Sequence, residues 1–292
     1  MSTADPVASP AATPIEVLIG VVTYNHRRFI PQCLDSLPAC SKLHSVKVVL
    51  VDNRSSDGSA DLVREKYPWV KLIERKGLHS FSNNNNVAFA SSPCKYFLLL
   101  NPDTVVDEGA LDILVQFMED NPSCGLCGPK LLNPDGTLQF SCRRFPTFWS
   151  TLVRRTPFRA LLPRHLRGVK HLMTTASHDE AMPVDWMLGA CLLIRSEAIE
   201  GAEPLDEGFP LYCEEIDLCL RLKRRGWSVF YVPTARVVHH HLAVSDSVLF
   251  SRASLLHARS MLYFTRKHYL SLHRRAARYA GVKPYQSAQS AQ

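Results

Sequence analysis

Several short runs of the 292-residue chain carry side chains suited to chemistry, and the most pointed is Leu98-Leu99-Leu100-Asn101-Pro102-Asp103-Thr104. A hydrophobic strand ending in a carboxylate, with a proline stiffening the turn, presents that carboxylate rigidly. Such a group suits a hard divalent cation, Mg²⁺ or Mn²⁺, held through one or two protein oxygens and a substrate's phosphates. Asp103 is the metal candidate, although spacing alone favours a plainer role in which Asp103 and Asp107 cap the next helix. In Asp52-Asn53-Arg54-Ser55-Ser56-Asp57-Gly58, a carboxylate directly follows a buried apolar run. It can accept hydrogen bonds from a nucleobase imide or a ribose hydroxyl. A turn into a helix accounts for Ser55, Ser56 and Asp57 but leaves Asp52 less explained.

A further cluster, Glu214-Glu215-Ile216-Asp217, places three acids in four residues next to an apolar helical pattern over Leu218 to Arg225. Acids ahead of a helix favour its dipole, which accounts for at least one of them. A carboxylate aimed into a cleft and crowded by its neighbours would instead serve as a general base for a hydroxyl. His239-His240-His241 ends a strand pattern, and alternation turns His240 away from His239 and His241. One imidazole beside Asp103 would complete a metal site. Trp186, near Gly189-Ala190, fits equally as a platform for a sugar face and as a core aromatic.

These residues matter only if the elements carrying them converge. The first half of the chain alternates short apolar runs with helical patterns, the signature of βαβ units and a largely parallel sheet. The pattern predicts strands over Val17–Thr23, Val46–Val51, Val70–Ile73 and Tyr96–Leu100. Helices are predicted over Phe29–Leu37, from an Asp57 N-cap to Tyr67, over Asn83–Ser91 and from Asp107 to about Glu119. A strand over Cys124–Lys130 and a turn at Asn133-Pro134-Asp135-Gly136 follow. Beyond these lie a strand pattern over Val184–Arg195 interrupted by Gly189-Ala190, and strands over Val229–Val232 and Arg236–His240. Asn25, Asp52 and Asp103 thus come to the carboxyl edge of one sheet, where open α/β folds bind ligands.

Composition sets limits. With 46% hydrophobic and 21% charged residues the chain is an ordinary globular one, able to bury a core. No apolar run approaches the ~18 residues of a membrane span. The nine cysteines are scattered, fitting reduced thiols, and the lone Cys124-x-x-Cys127 is read as a core feature. The net charge of +7 is uneven: Gly136–His178 holds eight Lys/Arg and no acid, as does the stretch from Ser247 onward, leaving −9 elsewhere. A nucleic-acid-binding module explains the basic stretches but not the acids at strand ends. A Rossmann dehydrogenase or Walker-type kinase lacks its glycine-rich phosphate cradle here. A sugar nucleotidyltransferase usually needs a glycine-rich basic loop near the first strand, and Thr23–Arg28 has no glycine.

The ordered motifs Thr23-Tyr24-Asn25, Asp52-Asn53-x-Ser55-x-Asp57-Gly58, Phe81 through Asn85-Asn86, Asn101-Pro102-Asp103, Gly189-Ala190, Glu214-Glu215-x-Asp217 and His239 to His241 together carry a resemblance. They resemble family 2 inverting glycosyltransferases of GT-A fold. They most resemble the bacterial rhamnosyltransferase-like branch, which attaches sugars to cell-surface polysaccharides or their lipid-linked precursors. The resemblance implies an α/β fold with a central mixed, mainly parallel sheet flanked by helices, plus a C-terminal helical segment. It further implies that Thr23, Tyr24, Asn25, Asp52, Asn53, Ser55, Asp57, Asn86 and Asn101 bind the nucleotide of a nucleotide-diphosphate sugar. Asp103, with His239 or His241, would hold Mg²⁺ or Mn²⁺. Glu215, or Glu214 beside it, would be the base, with Trp186, Gly189, Ala190, Asp217 and Arg221 shaping the sugar and acceptor site. Two departures stand out: Asn101 replaces the first acid of the family's D-x-D motif, as in this branch, and Glu215 stands where an Asp is usual.

The expected organisation is a leader over 1–14, a catalytic domain over 15–245 with a basic mobile insertion at 143–181, a basic amphipathic helical segment over 246–280 and a tail over 281–292. The expected acceptor is a saccharide or polyprenyl-linked saccharide, and the resemblance suggests dTDP-rhamnose as donor. The expected location is the cytoplasm, with peripheral contact between the basic C-terminal segment and anionic lipid at the membrane's inner face. No nucleic acid is expected as a partner.

Overall fold

The computed structural model describes residues 15–145, 173–240 and 252–270, so the expected leader, the tail, most of the basic insertion and His241 lie outside the described residues. Continuous Val/Ile/Leu runs form β1 (Ile15–Thr23), β2 (Val46–Asp52) and β4 (Cys94–Leu100), with the shorter β3 (Lys71–Glu74) beside them. These four pair in parallel in the order β3-β2-β1-β4. Between them run α1 (Ile30–Cys40), α2 (Ser59–Lys66) and α3 (Phe81–Ala90).

The chain then forms β5 (Thr104–Val106), α4 (Ala110–Asp120), β6 (Cys124–Leu132) and the two-residue strands β7 (Leu138–Gln139) and β8 (Cys142–Arg143). After the undescribed stretch come β9 (Met182–Pro183), β10 (Trp186–Met187), β11 (Cys191–Arg195), α5 (Glu214–Arg224) and β12 (Ser228–His239). The sheet extends as β4-β11-β6-β12-β5, with β11 antiparallel to both neighbours and β6 parallel to β12. The chain ends with α6 (Arg252–Thr265), which runs into a wide π turn over Arg266–Leu270.

Alternation along the strands builds a core on each face of the sheet. Val17, Ile19 and Val21 pack with α1 and α4, while Leu18, Val49, Val51 and Leu99 pack with α3 and α5. Each such fully buried aliphatic side chain contributes about 1.5–3 kcal/mol. At Gly20 a Cβ would lie 2.6 Å from the Phe97 ring, so the absence of a side chain lets Phe97 and α3 close on the sheet.

Several expectations need correcting. Helix α1 continues through Pro38 to Cys40. The residue before Ser59 is Gly58, at φ +80°, rather than Asp57, yet the Asp57 carboxylate still accepts the Ser59 N–H at 3.0 Å and so does a cap's work. The strand pattern over Val184–Arg195 does break at Gly189-Ala190, and its two halves part: β10 pairs with β8 in a separate ribbon and β11 joins the main sheet, with Leu188-Gly189-Ala190 as the crossing. The two predicted strands over 229–240 are one, β12, irregular between Val232 and Arg236. The three acids do not precede a helix; they form the first turn of α5. The Cys124-x-x-Cys127 pair sits where Ser228 pairs with Cys124 and Val229 with Leu126, a bulge at Gly125. The extra residue puts both thiols in the same core cluster, fully buried.

Candidate active site

The carboxyl ends of β1 and β2 are tied together by their loops. Asn53 N–H donates to Thr23 O at 2.8 Å, Asn25 N–H to Ser55 Oγ at 2.9 Å, Ser56 N–H to Asn25 Oδ1 at 2.8 Å and Arg27 N–H to Asp57 Oδ2 at 2.9 Å. Asn25 and Arg54 hold positive φ values of 55° and 62°, the left-handed conformation that lets both loops turn within a residue. Asp52 is 3% exposed; its Oδ2 accepts the Ser55 N–H at 2.9 Å, while Oδ1 and the nearby strand-end hydroxyl of Thr23 meet no hydrogen-bond partner among the described residues. Leaving such a group unsatisfied costs about 1–3 kcal/mol, so Asp52 is an acceptor in want of a donor. Asn53 bonds reciprocally to His79 through its side-chain amide, and Tyr24 stands exposed at the rim.

At the next strand end, Asp103 does not cap α4, whose leading residue is Gly109. Its carbonyl accepts the His240 N–H at 2.8 Å, and its Oδ1 lies 3.4 Å from His239 Nε2. A unidirectional hydrogen-bond chain sets the imidazole tautomer. The Asp135 carboxylate can only accept, and it takes the Thr137 hydroxyl at 2.6 Å. Thr137 Oγ1 accepts from Asn133 Nδ2 at 2.9 Å, Asn133 Oδ1 accepts from Gln139 Nε2 at 3.1 Å, and Gln139 Oε1 therefore accepts His239 Nδ1–H at 2.7 Å. With Nδ1 protonated, the Nε2 of a neutral His239 turns a lone pair toward the Asp103 carboxylate. Two acceptors facing each other require a proton or a cation between or beside them, the arrangement of a metal-ligand pair oriented from behind. Burial alone would raise the Asp103 carboxyl, but with a proton on His239 Nε2 the imidazole donates to it, and this, its own backbone and the charge of His26 hold it below the ordinary range. Among the described residues no three His, Cys, Asp or Glu side chains could hold a metal together, so this pair would need a substrate's oxygens to complete a shell.

The acids reach the same edge. Asn101 N–H donates to Ala190 O at 2.8 Å, binding the Asn101-Pro102-Asp103 turn to Gly189-Ala190. Glu215 lies against Gly189, its Cδ 3.9 Å from where a Cβ on that glycine would be. Glu215 is half-buried and feels the Arg143 guanidinium, whereas Glu214 is only 3% exposed. Burial pushes both carboxyls above the ordinary range, and for Glu214 the charge of Glu215 adds to it. Trp186 takes the core role: partly buried, it packs on two core clusters, donates Nε1–H to Arg144 O at 3.0 Å and lies 6.0 Å from the Arg143 guanidinium.

A family model described as "Glycosyltransferase like family 2" matches residues 14–261. The chain belongs to this glycosyltransferase family. It is 31% identical over 235 residues to the N-acetylglucosaminyl-diphospho-decaprenol L-rhamnosyltransferase of Mycobacterium tuberculosis, covering 75% of this chain and 74% of the relative. It is 28% identical over 270 residues to rhamnosyltransferase WbbL of Escherichia coli, covering 87% and 95%. Among solved structures it resembles GalNAc-T7 with UDP, GalNAc and Mn²⁺ (TM-score 0.57, 15% identity, 79% of this chain and 45% of that one). It also resembles the mannosyltransferase PcManGT of Pyrobaculum calidifontis in complex with GDP-Man and Mn²⁺ (TM-score 0.54, 17% identity, 96% and 79%). The chain spans under half the length of the GalNAc-T7 chain. The fold is the GT-A glycosyltransferase fold, a mixed, mainly parallel sheet flanked by helices.

Three expected site residues of this family 2 glycosyltransferase are engaged elsewhere. The Asn86 amide donates to Leu205 O at 2.8 Å and accepts Leu205 N–H at 3.1 Å, so it pins the 203–207 loop rather than opening onto the strand ends. Asp217, with 0% exposure, is enclosed by Arg221, Lys267 and His268, and Arg221 divides its guanidinium between Asp217 and the carbonyls of Glu203 and Pro204. Conversely, Gln139, Arg143 and Arg75 reach the site unannounced. Arg75 N–H donates to Asp52 O at 2.9 Å and its guanidinium to Asn83 Oδ1 at 2.8 Å. The signal available for Gln139 was its place three residues after the Asn133–Gly136 turn, which folds it back along β6.

Proposed function

We propose that this glycosyltransferase moves L-rhamnose, with inversion, from dTDP-rhamnose to a hydroxyl of a lipid-linked saccharide during cell-surface polysaccharide synthesis. The observation that carries the chemistry is the convergence of Glu215 beside Gly189 with the Asp103–His239 pair, joined through the Asn101–Ala190 hydrogen bond. The sugar and acceptor class rest on the two rhamnosyltransferase relatives, one named for a decaprenyl-linked substrate.

In this reading Asp52 Oδ1 accepts from the donor's base or ribose, with Thr23, Tyr24, Asn25, Asn53 and Ser55 shaping the loops around it. Asp103 and His239 would hold Mg²⁺ or Mn²⁺, which supplies positive charge against the departing diphosphate. Glu215 takes the proton of the acceptor hydroxyl as its oxygen bonds to the anomeric carbon. The bond from that carbon to the phosphate oxygen breaks on the opposite face, and the nucleoside diphosphate leaves with the electron pair. One in-line displacement inverts the centre and needs one base, not the paired carboxylates of a glycoside hydrolase. Burial of Glu215 raises its basicity, while Glu214 is almost fully buried.

The test is turnover of dTDP-rhamnose with a polyprenyl-diphospho-N-acetylglucosamine acceptor, against UDP- and GDP-sugars as controls; transfer from another nucleotide sugar alone would replace the donor assignment. Removing the Asp52 carboxylate as Asp52→Ala is expected to weaken dTDP binding by about 10- to 100-fold in calorimetry, the value of a hydrogen bond to a charged group. Unchanged affinity would remove Asp52 from the nucleotide site.

The acceptor chemistry also gives the C-terminal helix a partner. Among the described residues no helix is long and apolar enough to cross a membrane. On α6, Leu255 is 63% and Leu262 69% exposed, on a stripe that also carries exposed Arg259 and Arg266, in a stretch without acids. Leucines flanked by arginines suit the headgroup region of an anionic bilayer. Replacing both leucines by serine is expected to reduce co-sedimentation with phosphatidylglycerol vesicles by about 10-fold or more, given ~1.5–3 kcal/mol per buried leucine. Sedimentation indifferent to the substitutions would remove this surface.

A further inference from the structure

The backbone reaches the acids through an unfavourable turn. Tyr212 and Cys213, neither of them glycine, hold successive positive φ values of 64° and 74° immediately before Glu214. Non-glycine residues in this region cost of order 1–3 kcal/mol each and persist only where their surroundings enforce them. The enforcing contacts come from the C-terminal helix. Ser260 Oγ donates to Leu211 O at 2.7 Å and accepts Leu211 N–H at 3.3 Å, bonding both backbone groups of the residue before the turn. The His257 ring lies 5.2 Å from that of Tyr212, and Cys213 Sγ lies 3.3 Å from Met261 Sδ. Tyr263 closes on Gly208, where a Cβ would come within 2.5 Å of its hydroxyl, and that hydroxyl donates to Asp206 at 3.1 Å.

The grip continues on α5 itself. In the π turn after α6, Lys267 Nζ and His268 Nε2 each lie 2.6 Å from Asp217 Oδ1, while Arg221 donates to Oδ2 at 2.7 Å. His268 must be neutral: the Arg224 guanidinium, 2.7 Å from Nδ1, can only donate, so Nδ1 accepts and Nε2 carries the proton given to Asp217. Burial alone would raise the Asp217 carboxyl, but these donors hold it down at about 2. Asp217 lies one helical turn from Glu214 and two residues from Glu215.

We propose that the C-terminal helix is a brace for the catalytic acids: Ser260, Lys267 and His268 are positioning residues that hold the strained turn and fix the rotation of α5, and so the aim of Glu215. None of them lies in the Asp52 and Asp103 loops, so the brace acts on turnover and not on donor binding. The proposal rests on the reading of Glu215 as the base.

The test compares His268→Leu, His268→Gln and Ser260→Ala with the wild-type chain, reading kcat, donor KM, dTDP affinity and amide hydrogen exchange over residues 212–218. His268→Leu is expected to lower kcat at least tenfold, with donor KM and dTDP affinity within twofold and faster exchange in that segment. His268→Gln is expected to recover most of the loss, because a carboxamide can donate to Asp217 and accept from Arg224. Should His268→Leu show no cooperative melt, Ser260→Ala decides, with a kcat loss of threefold or more and unchanged dTDP affinity expected. Wild-type kcat in a folded His268→Leu or Ser260→Ala variant overturns the brace, as does a parallel fall of kcat and nucleotide affinity. A Glu215→Gln variant that still turns over would instead defeat the base assignment, while faster exchange over 212–218 in His268→Leu would still report the brace.

Discussion

Glu215→Gln is expected to lower kcat by about 10²- to 10⁴-fold, the usual worth of a positioned general base, while leaving dTDP affinity within about twofold. The substitution keeps the side chain's shape against Gly189 and removes only its ability to take a proton. Glu214→Gln is expected to cost far less, because that carboxyl is almost fully buried while Glu215 supplies the nearest atoms to Gly189. Steady-state kinetics of both variants, with calorimetry for the nucleotide, separate the two; equal loss of turnover and binding at Glu215 would make it a structural acid. The pH dependence follows from burial. Because both carboxyls are raised, the base is deprotonated only at a pH above the ordinary glutamate range, so kcat should fall on the acid side nearer neutrality than an exposed glutamate would give. Stability slopes the other way. A carboxyl raised in the folded state contributes stability that is complete below its unfolded pKa and is lost as pH rises through the raised value. Activity and melting temperature should therefore move in opposite directions across that window.

Asp103→Asn is expected to abolish Mn²⁺-dependent binding of the nucleoside diphosphate while leaving the weak metal-independent component. The carboxamide keeps the turn but loses the charge that a hard cation needs, and its N–H₂ can donate to the His239 Nε2 lone pair and so occupy the nitrogen that would face the cation. Leaving His239 alone beside the cation should lower its affinity by an order of magnitude or more, read by calorimetry with and without Mn²⁺. Metal dependence unchanged from wild type would exclude Asp103 as a ligand.

Most of what positions the site was legible in the chain because local pattern and burial agree there. The buried runs that become β1, β2 and β4 announce themselves, and each ends at a polar residue, so Asn25, Asp52 and Asp103 fall on one edge without knowledge of the pairing. The bond from Asn101 to Ala190 and the contact of Glu215 with Gly189 were not legible as geometry, since they join residues on different elements that are far apart in sequence. Only the order of the motifs hinted at them. Asp217 and Asn86 were misplaced for a related reason: an acid beside two other acids, or an asparagine at the end of an asparagine run, says nothing of which neighbour its side chain meets. That is decided by Lys267, His268 and Leu205, supplied by other elements. Gln139 was missed because a two-residue strand leaves no periodic signal. The left-handed turn at Tyr212-Cys213 was equally hidden, because neither residue type favours that conformation.

The most direct measurement is a thermal-shift titration of the chain with UDP, GDP, dTDP, CDP and ADP, each with and without Mn²⁺, repeated on Asp103→Asn. A ligand at about 100 times its Kd stabilises the folded state by about 2.7 kcal/mol, worth roughly 5 °C or more in a chain of this size. The account predicts a shift of that order with dTDP and Mn²⁺ together, little with either alone, and its loss in the variant. No shift with any nucleotide, or a shift indifferent to Mn²⁺ and to Asp103, would contradict a metal-assisted nucleotide-sugar site at this sheet edge.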